Sequence, residues 1–240
     1  MKFYVYCVAG DLERLDGSVV GISDQEIEVL TFDGLSVVAS KFEDDFVPVS
    51  RGNVLTHEAV VRKVLSETTP LPFRFGTLVS KVGLNEFVKA KKSLLNGRLS
   101  LVQGCVEMSI KIIWQPKTDA GEEVGITTPQ QGIGAAFLLN KQRELRGGEN
   151  LVNKANDVEN WLLAGLNGLI KEQRVRVEPK LKLVLAGSYL INRAAEYDFR
   201  ARVNELQEER PDLHFLTSGP WPPYSFANID LEFETHFGVS

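Results

Sequence analysis

His57 and Glu58 are the first adjacent pair in the chain with the residue types of a general base and an orienting acid. Their setting argues for another role. His57 precedes Val61 by four and Val64 by seven, which places it on the edge of an apolar helical face, where histidines pack or cap. His214 alternates with Leu213 and Phe215 on a strand-like run, and His236 lies in an acidic tail. Three histidines without ligand spacing make no metal site. The acids of "FEDD", Glu43 to Asp45, lack the ligand spacing of a calcium loop and read as a solvated turn. Arg74 in "PFRF" stands opposite Phe73 and Phe75 if the segment is a strand, so it points into a cleft or pairs with a buried acid. "GIGAAF", Gly132 to Phe137, holds half of a dinucleotide fingerprint. A Pro/Gln-rich stretch rather than a strand precedes it, so it reads as a helix start or hinge. No Walker A lysine motif and no G-x-S-x-G occur. No catalytic residue, metal ligand or cofactor site stands out. One enzymatic reading survives, an α+β enzyme with a cleft between domains that uses His57, Glu58 and Arg74.

The elements that would position these residues come from a chain of 240 residues, 43% hydrophobic and 25% charged, with a net charge of −5. That length supports one large domain or two small ones. A mildly acidic chain with scattered basic residues has no general pull on nucleic acid or anionic membrane. Cys7 and Cys105 sit in strand-like runs and read as small buried hydrophobes, not as a disulfide framework. The N-terminus lacks a signal-peptide apolar core, and no stretch approaches the ~18 apolar residues of a membrane span. The expected setting is reduced and cytoplasmic.

Periodicity predicts strands over "KFYVYCV" (Phe3, Val5 and Cys7 on one face), "GLSVVASKF", "LPFRFGTLV" and "CVEMSIKIIW". It predicts helices over "NVLTHEAVVRKVLSET" and "LNEFVKAKKSLLNG", the second ending at Gly97. Residues 1–115 therefore form an α+β domain close to a ferredoxin-like sandwich, with one four-stranded sheet and the order of the first elements altered. Residues 116–131, rich in Pro, Gly, Thr and acid, form the linker. Residues 132–240 form a second α+β domain, a helical hairpin on a small sheet. Its helices are "GAAFLLNKQREL", "NLVNKANDVENWLLAGLNGLIKEQ" and "AAEYDFRARVNELQEERP", and its strands are "LKLVLAGSYLI" and "LHFLTSG". The seam Leu151, Ala155, Val158, Leu162, Gly165 and Leu169 is too short for a dimer zipper.

"TSGPWPPYSF", Thr217 to Phe226, follows the last strand. Pro220, Pro222 and Pro223 fix φ near −65° and remove backbone donors, so the segment is a stiff strap and not a central strand. Two uses are open to Trp221, Tyr224 and Phe226: closing a core, or forming an exposed aromatic surface for a partner. The tail from Asn228 to Phe237 alternates Ile229, Leu231 and Phe233 with Asp230, Glu232 and Glu234, a pattern suited to adding a strand to a sheet edge.

"GPWPPYSF", Gly219 to Phe226, resembles the C-terminal signature of the gas vesicle protein F/L family (GvpF/GvpL). Further segments agree in order: "HEAVV", "LPFRFGTLV" with Arg74, Phe75 and Gly76 in place, "VEMSIKIIW", "GIGAAFLLNKQRE" and "GSYLINRA". Met108 stands where the family pattern has Trp, and Phe137 where it has Tyr. The resemblance implies a non-enzymatic, cytoplasmic accessory protein of gas vesicle assembly, a minor structural or chaperone-like component. It implies as partners the small hydrophobic shell protein (GvpA) and other accessory gas vesicle proteins, with no nucleic acid or lipid membrane. The candidate partner-binding residues are Trp221, Tyr224, Phe226 and Arg74. An RNA-binding reading lacks the basic face it requires.

Overall fold

The computed structural model describes residues 2–16, 19–114, 151–177 and 183–229. It is an α+β protein with two antiparallel-type sheets in two compact units. One unit is drawn from Met1–Glu107 and Gly219–Ser240, the other from Met108–Ser218. The second is thus inserted in the chain of the first, and the strap at 219–229 is counted with the N-terminal elements, whereas the sequence suggests a home in the C-terminal half. The expected linker at 116–131 and the helix over "GAAFLLNKQREL" lie outside the described residues.

In the first unit, β1 (Lys2–Ala9) is the centre of a sheet ordered β2-β3-β1-β4, with β5 also paired to β1. The neighbours are β2 (Ile27–Phe32), β3 (Leu35–Phe42), β4 (Leu71–Pro72) and β5 (Leu78–Ser80). The β1–β3 register shifts between Val5 and Cys7, so Tyr6 is an extra, bulged residue. The bulge reverses the side-chain phase. Cys7 and Ala9 join Tyr4 and Tyr6 in one core cluster, and the expected Phe3-Val5-Cys7 face is broken. Helix α1 (Arg51–Glu67) completes that cluster with Val60, Val61 and Val64. The Ser50 side chain accepts from the Asn53 N–H at its start.

The segment "LPFRFGTLV" is two short strands rather than one. Pro72 cannot donate to a ladder, and Gly76 takes φ +87°, a left-handed value that suits glycine. Helix α2 (Lys81–Val102) runs through Gly97, because Leu95 and Val102 continue its buried face beyond that residue. β2 is a strand that the patterns above do not anticipate. It turns into β3 through Asp33 (φ 51°) and Gly34 (φ 82°), the two positive values of a type I′ hairpin.

The second unit's sheet is ordered β7-β8-β6-β9, from β6 (Cys105–Trp114), β7 (Glu172–Val177), β8 (Leu183–Asn192) and β9 (Leu213–Trp221). β6 therefore hydrogen-bonds in this sheet and is not the fourth strand of the first one. Residues 151–165 are helical (α3) and bury Ala155, Val158 and Leu162, while Leu151 is exposed. The helix stops well before Gln173: residues 166–169 turn, with Gly168 at φ +83°, and β7 begins at Glu172. Helix α4 (Glu196–Glu209) buries Phe199, Val203 and Leu206. An added Cβ on Gly165 would lie 2.6 Å from Leu206 Cδ2, so α3 and α4 meet closely there and a larger residue would force the buried Leu206 side chain to shift. The Trp161 ring lies 6.3 Å from Phe215 of β9 and carries the Arg210 guanidinium 5.4 Å above it.

Candidate functional site

Two structural facts decide what His57 can do: it is 3% exposed, and its neighbours are aromatic. The ring lies between Tyr4, Tyr6, Phe75 and Tyr224, with centroids 5.6 to 6.3 Å away. Nδ1 and the Tyr4 hydroxyl are 2.7 Å apart, and that hydroxyl also accepts from the Gly76 N–H at 3.3 Å. Nε2 is buried with no partner in hydrogen-bond geometry. Burial drives the imidazole pKa down to about 4, opposed in part by the Phe73 backbone. The ring is neutral and closed off at neutral pH, which suits a packed histidine.

Glu58 does not orient His57. It faces Arg62 one turn on, accepting from Nε at 2.8 Å and lying 2.6 Å from a terminal guanidinium nitrogen. The enzymatic reading requires His57 and Glu58 to work as a base and its orienting acid, and the two side chains have different partners. Arg74 is exposed in the stretch between β4 and β5. A cavity of about 270 Å³ lies at the α3–β7 turn, lined by residues such as Leu166, Asn167 and Lys171, and none of the three borders it. Asp45 pairs with Lys2, His214 is exposed, both cysteines are buried, and His236 lies outside the described residues. Among the described residues no group of His, Cys, Asp and Glu has the geometry to hold a metal ion.

The convergence the structure does show is around the strap. β9 reaches Trp221, and among the described residues it is an outer strand of its sheet, where a strand proline is tolerated. Pro222 and Pro223 are buried, and Tyr224–Ala227 forms a single helical turn, α5, packed on β4 and α2. The Ala227 N–H donates to the Pro223 carbonyl at 2.9 Å, and Asn228 ends the turn in the left-handed region. Phe226 is wholly buried, so it anchors the strap and is not displayed as the partner-binding residue expected from sequence. Trp221 is half-buried beneath the Arg62 guanidinium, 5.2 Å from its ring centroid. Tyr224 is 37% exposed. The surface is therefore built from Trp221, Tyr224, Arg62 and Glu58.

One member of this site has no local signal in sequence. Glu107 on β6 is 5% exposed and accepts from the Ser225 N–H at 2.8 Å and from its hydroxyl at 2.6 Å. These are charge-assisted bonds across 118 positions of chain. In sequence Glu107 merely shares the polar alternation of β6 with Ser109 and Lys111, and nothing local marks it as the buried member of that row.

Comparison with known proteins matches residues 2–228 to the family described as gas vesicle synthesis protein GvpL/GvpF. Similar relatives include gas vesicle protein L2 of Halobacterium salinarum, 25% identical over 93% of this chain and 90% of the relative. Another is gas vesicle protein F of Haloferax mediterranei, 26% identical over 96% of this chain and 95% of the relative. The crystal structure of GvpF from an Anabaena species aligns with a TM-score of 0.79 at 20% identity, covering 96% of this chain and 99% of that one. GvpF of Microcystis aeruginosa aligns at 0.74, also at 20% identity, covering 94% and 98%. These likenesses bear out the two-unit α+β fold.

Proposed function

The chain belongs to the gas vesicle synthesis protein GvpL/GvpF family and has its role in gas vesicle assembly; from that premise we propose that it is a non-enzymatic accessory protein that binds the small hydrophobic shell protein (GvpA). A subunit that presents an apolar face to gas and polymerises through strand edges aggregates when free. An accessory protein that covers such a surface keeps the subunit available or seeds its assembly. The observation that carries this reading, beyond the family itself, is the strap. Its aromatic side chains are held half-exposed on a frame of buried prolines, Phe226 and the Glu107–Ser225 bonds. Rigid, partly apolar anchors of this kind lose little entropy on contact.

Trp221 and Tyr224 supply the contact in this proposal, and Arg62 and Glu58 form its polar rim. Arg74, exposed on the first unit, is a candidate rim residue. No helix among the described residues is long and apolar enough to cross a membrane. The proposed setting is the cytoplasm and the gas vesicle.

The test is co-expression of the full chain with the shell protein and retention of the shell protein on the tagged chain. The Trp221→Ser/Tyr224→Ala double variant, shown folded by circular dichroism, is expected to retain at least ~10-fold less, in keeping with loss of two aromatic anchors. Failure of the wild-type chain to retain any shell protein refutes the proposed partner. Equal retention by the variant refutes the proposed surface.

A further inference from the structure

Asn167 and Gly168 stand in the turn that leads from α3 to β7, and both are exposed. Asn-Gly is the pair in which a main-chain nitrogen most readily attacks the preceding side chain, because glycine has no Cβ to crowd the approach. Three observations leave the two groups open to react. The Gly168 N–H donates no hydrogen bond among the described residues, although its neighbours Asn167 and Leu169 donate to the Ala164 and Leu166 carbonyls. The Asn167 side-chain amide also has no hydrogen-bond partner among the described residues. Gly168 takes φ +83°, and a Cβ built on it meets nothing within 4 Å, so a ring closing there has room. The chain contains a second such pair, Asn96 and Gly97, also exposed and also preceded by leucine. That pair lies inside α2, where the helical ladder holds each interior N–H.

We propose that Asn167 is a site of spontaneous covalent modification, deamidation through a cyclic imide with Gly168, and that the fold directs this chemistry to Asn167 and away from Asn96. Hydroxide removes the Gly168 amide proton, and the nitrogen attacks Asn167 Cγ at intramolecular range. The Cγ–Nδ2 bond breaks, the amide nitrogen takes a proton from water and leaves as ammonia, and a succinimide remains. Water then opens the ring at one of two bonds. Cleavage at Cγ gives aspartate. Cleavage at the Asn167 main-chain carbonyl carbon gives isoaspartate, with the chain now running through the side chain. Either product adds one negative charge to a chain of net charge −5. The charge enters the wall of the cavity of about 270 Å³ that Lys171 and Glu172 also line. Isoaspartate further lengthens the main chain by one carbon just before the Lys171 N–H, which donates to the Leu190 carbonyl at 2.8 Å where β7 and β8 begin to pair.

Incubation of the full chain in mildly alkaline buffer, then peptide mass mapping after digestion in acid, tests this. A gain of about 1 Da is expected at Asn167, as a mixture of aspartate and isoaspartate, with the isoaspartyl peptide accepting a methyl group from a protein isoaspartyl methyltransferase. Asn96 should react at least ~10-fold more slowly in the folded chain, because α2 must open before the Gly97 nitrogen is released. In urea sufficient to unfold the chain, the two sites should react within about threefold of each other, since the protection of α2 is gone. Asn167→Gln, whose longer side chain would have to close a larger ring, should lose the mass gain at that position. An Asn167 that stays intact, equal rates at Asn96 and Asn167 in the folded chain, aspartate without isoaspartate, or a tenfold gap that persists in urea each overturns the proposal.

Discussion

Removing the Glu107 carboxylate should free the strap without unfolding the rest of the protein. Glu107 is 5% exposed and makes two bonds to Ser225, at 2.8 and 2.6 Å. Hydrogen bonds to a charged group contribute about 1.5–3 kcal/mol each. Against that gain stands the cost of keeping a carboxylate out of water, several kcal/mol, which Glu107→Ala recovers. Ser225 is half-buried, so water partly satisfies the two donors that the variant orphans. The net expectation is a loss of roughly 1–3 kcal/mol from strap docking. Opening is local, so the readout is amide hydrogen exchange across Tyr224–Ala227, which should quicken about 10- to 100-fold. Glu107→Gln keeps the shape and one acceptor, and should sit near the lower end of that range. Amides of α4, in the other unit, serve as the internal control and should not change. An unchanged Ser225 amide in both variants would refute the assignment of Glu107 as the latch.

Two further outcomes follow from burial around the same site. Because the His57 pKa falls from 6.5 to about 4 on folding, the unfolded chain binds the extra proton between those values, and stability drops as pH falls through that window. The loss between pH 7 and pH 5 is about 2 kcal/mol, and His57→Gln should remove that share of the pH dependence in urea unfolding curves. Phe226→Ala, at a wholly buried ring, should cost about 3–5 kcal/mol. Trp221→Ala, at a half-buried ring under Arg62, should cost only about 1–2 kcal/mol. Equal losses in the same unfolding assay would refute the division of the strap into anchor and surface.

What could be read in sequence is what local periodicity carries. β1, β3, β6, α1 and α4 stand out because an apolar face repeats every 2 or 3.6 residues without interruption. β2 escaped pattern reading although its signal is present, Asp33-Gly34 between apolar residues. β7 was hidden for the opposite reason. Its first residues, Glu172 and Gln173, read as the end of the preceding helix unless Gly168 is weighted as a stop, and Arg174–Val177 has too little apolar content to stand out as a strand. Gly97 shows that weight is contextual, since α2 buries Leu95 and Val102 on either side of it. The sheet that β6 joins, and the meeting of Glu107 with Ser225, are long-range pairings, and no window of ten or fifteen residues contains them.

The strap posed an alternative, core or surface, and the structure divides it by residue. Aromatic side chains on a loose segment would collapse onto the nearest apolar face and be lost to a partner. Here Pro222 and Pro223 are buried and limit the conformations open to the backbone, Phe226 fills the core, and Ser225 is held from below by Glu107. Arg62, fixed by Glu58, covers one ring of the pair that is left. Each of these contacts lowers the freedom of Trp221 and Tyr224 without burying them fully. On the proposed function, the ordering cost of binding has already been met within the fold, and the latch therefore bears on partner binding. Glu107→Gln leaves every surface atom of Trp221 and Tyr224 in place. If preorganisation matters, it should still weaken retention of the shell protein, by up to the factor by which it quickens strap exchange.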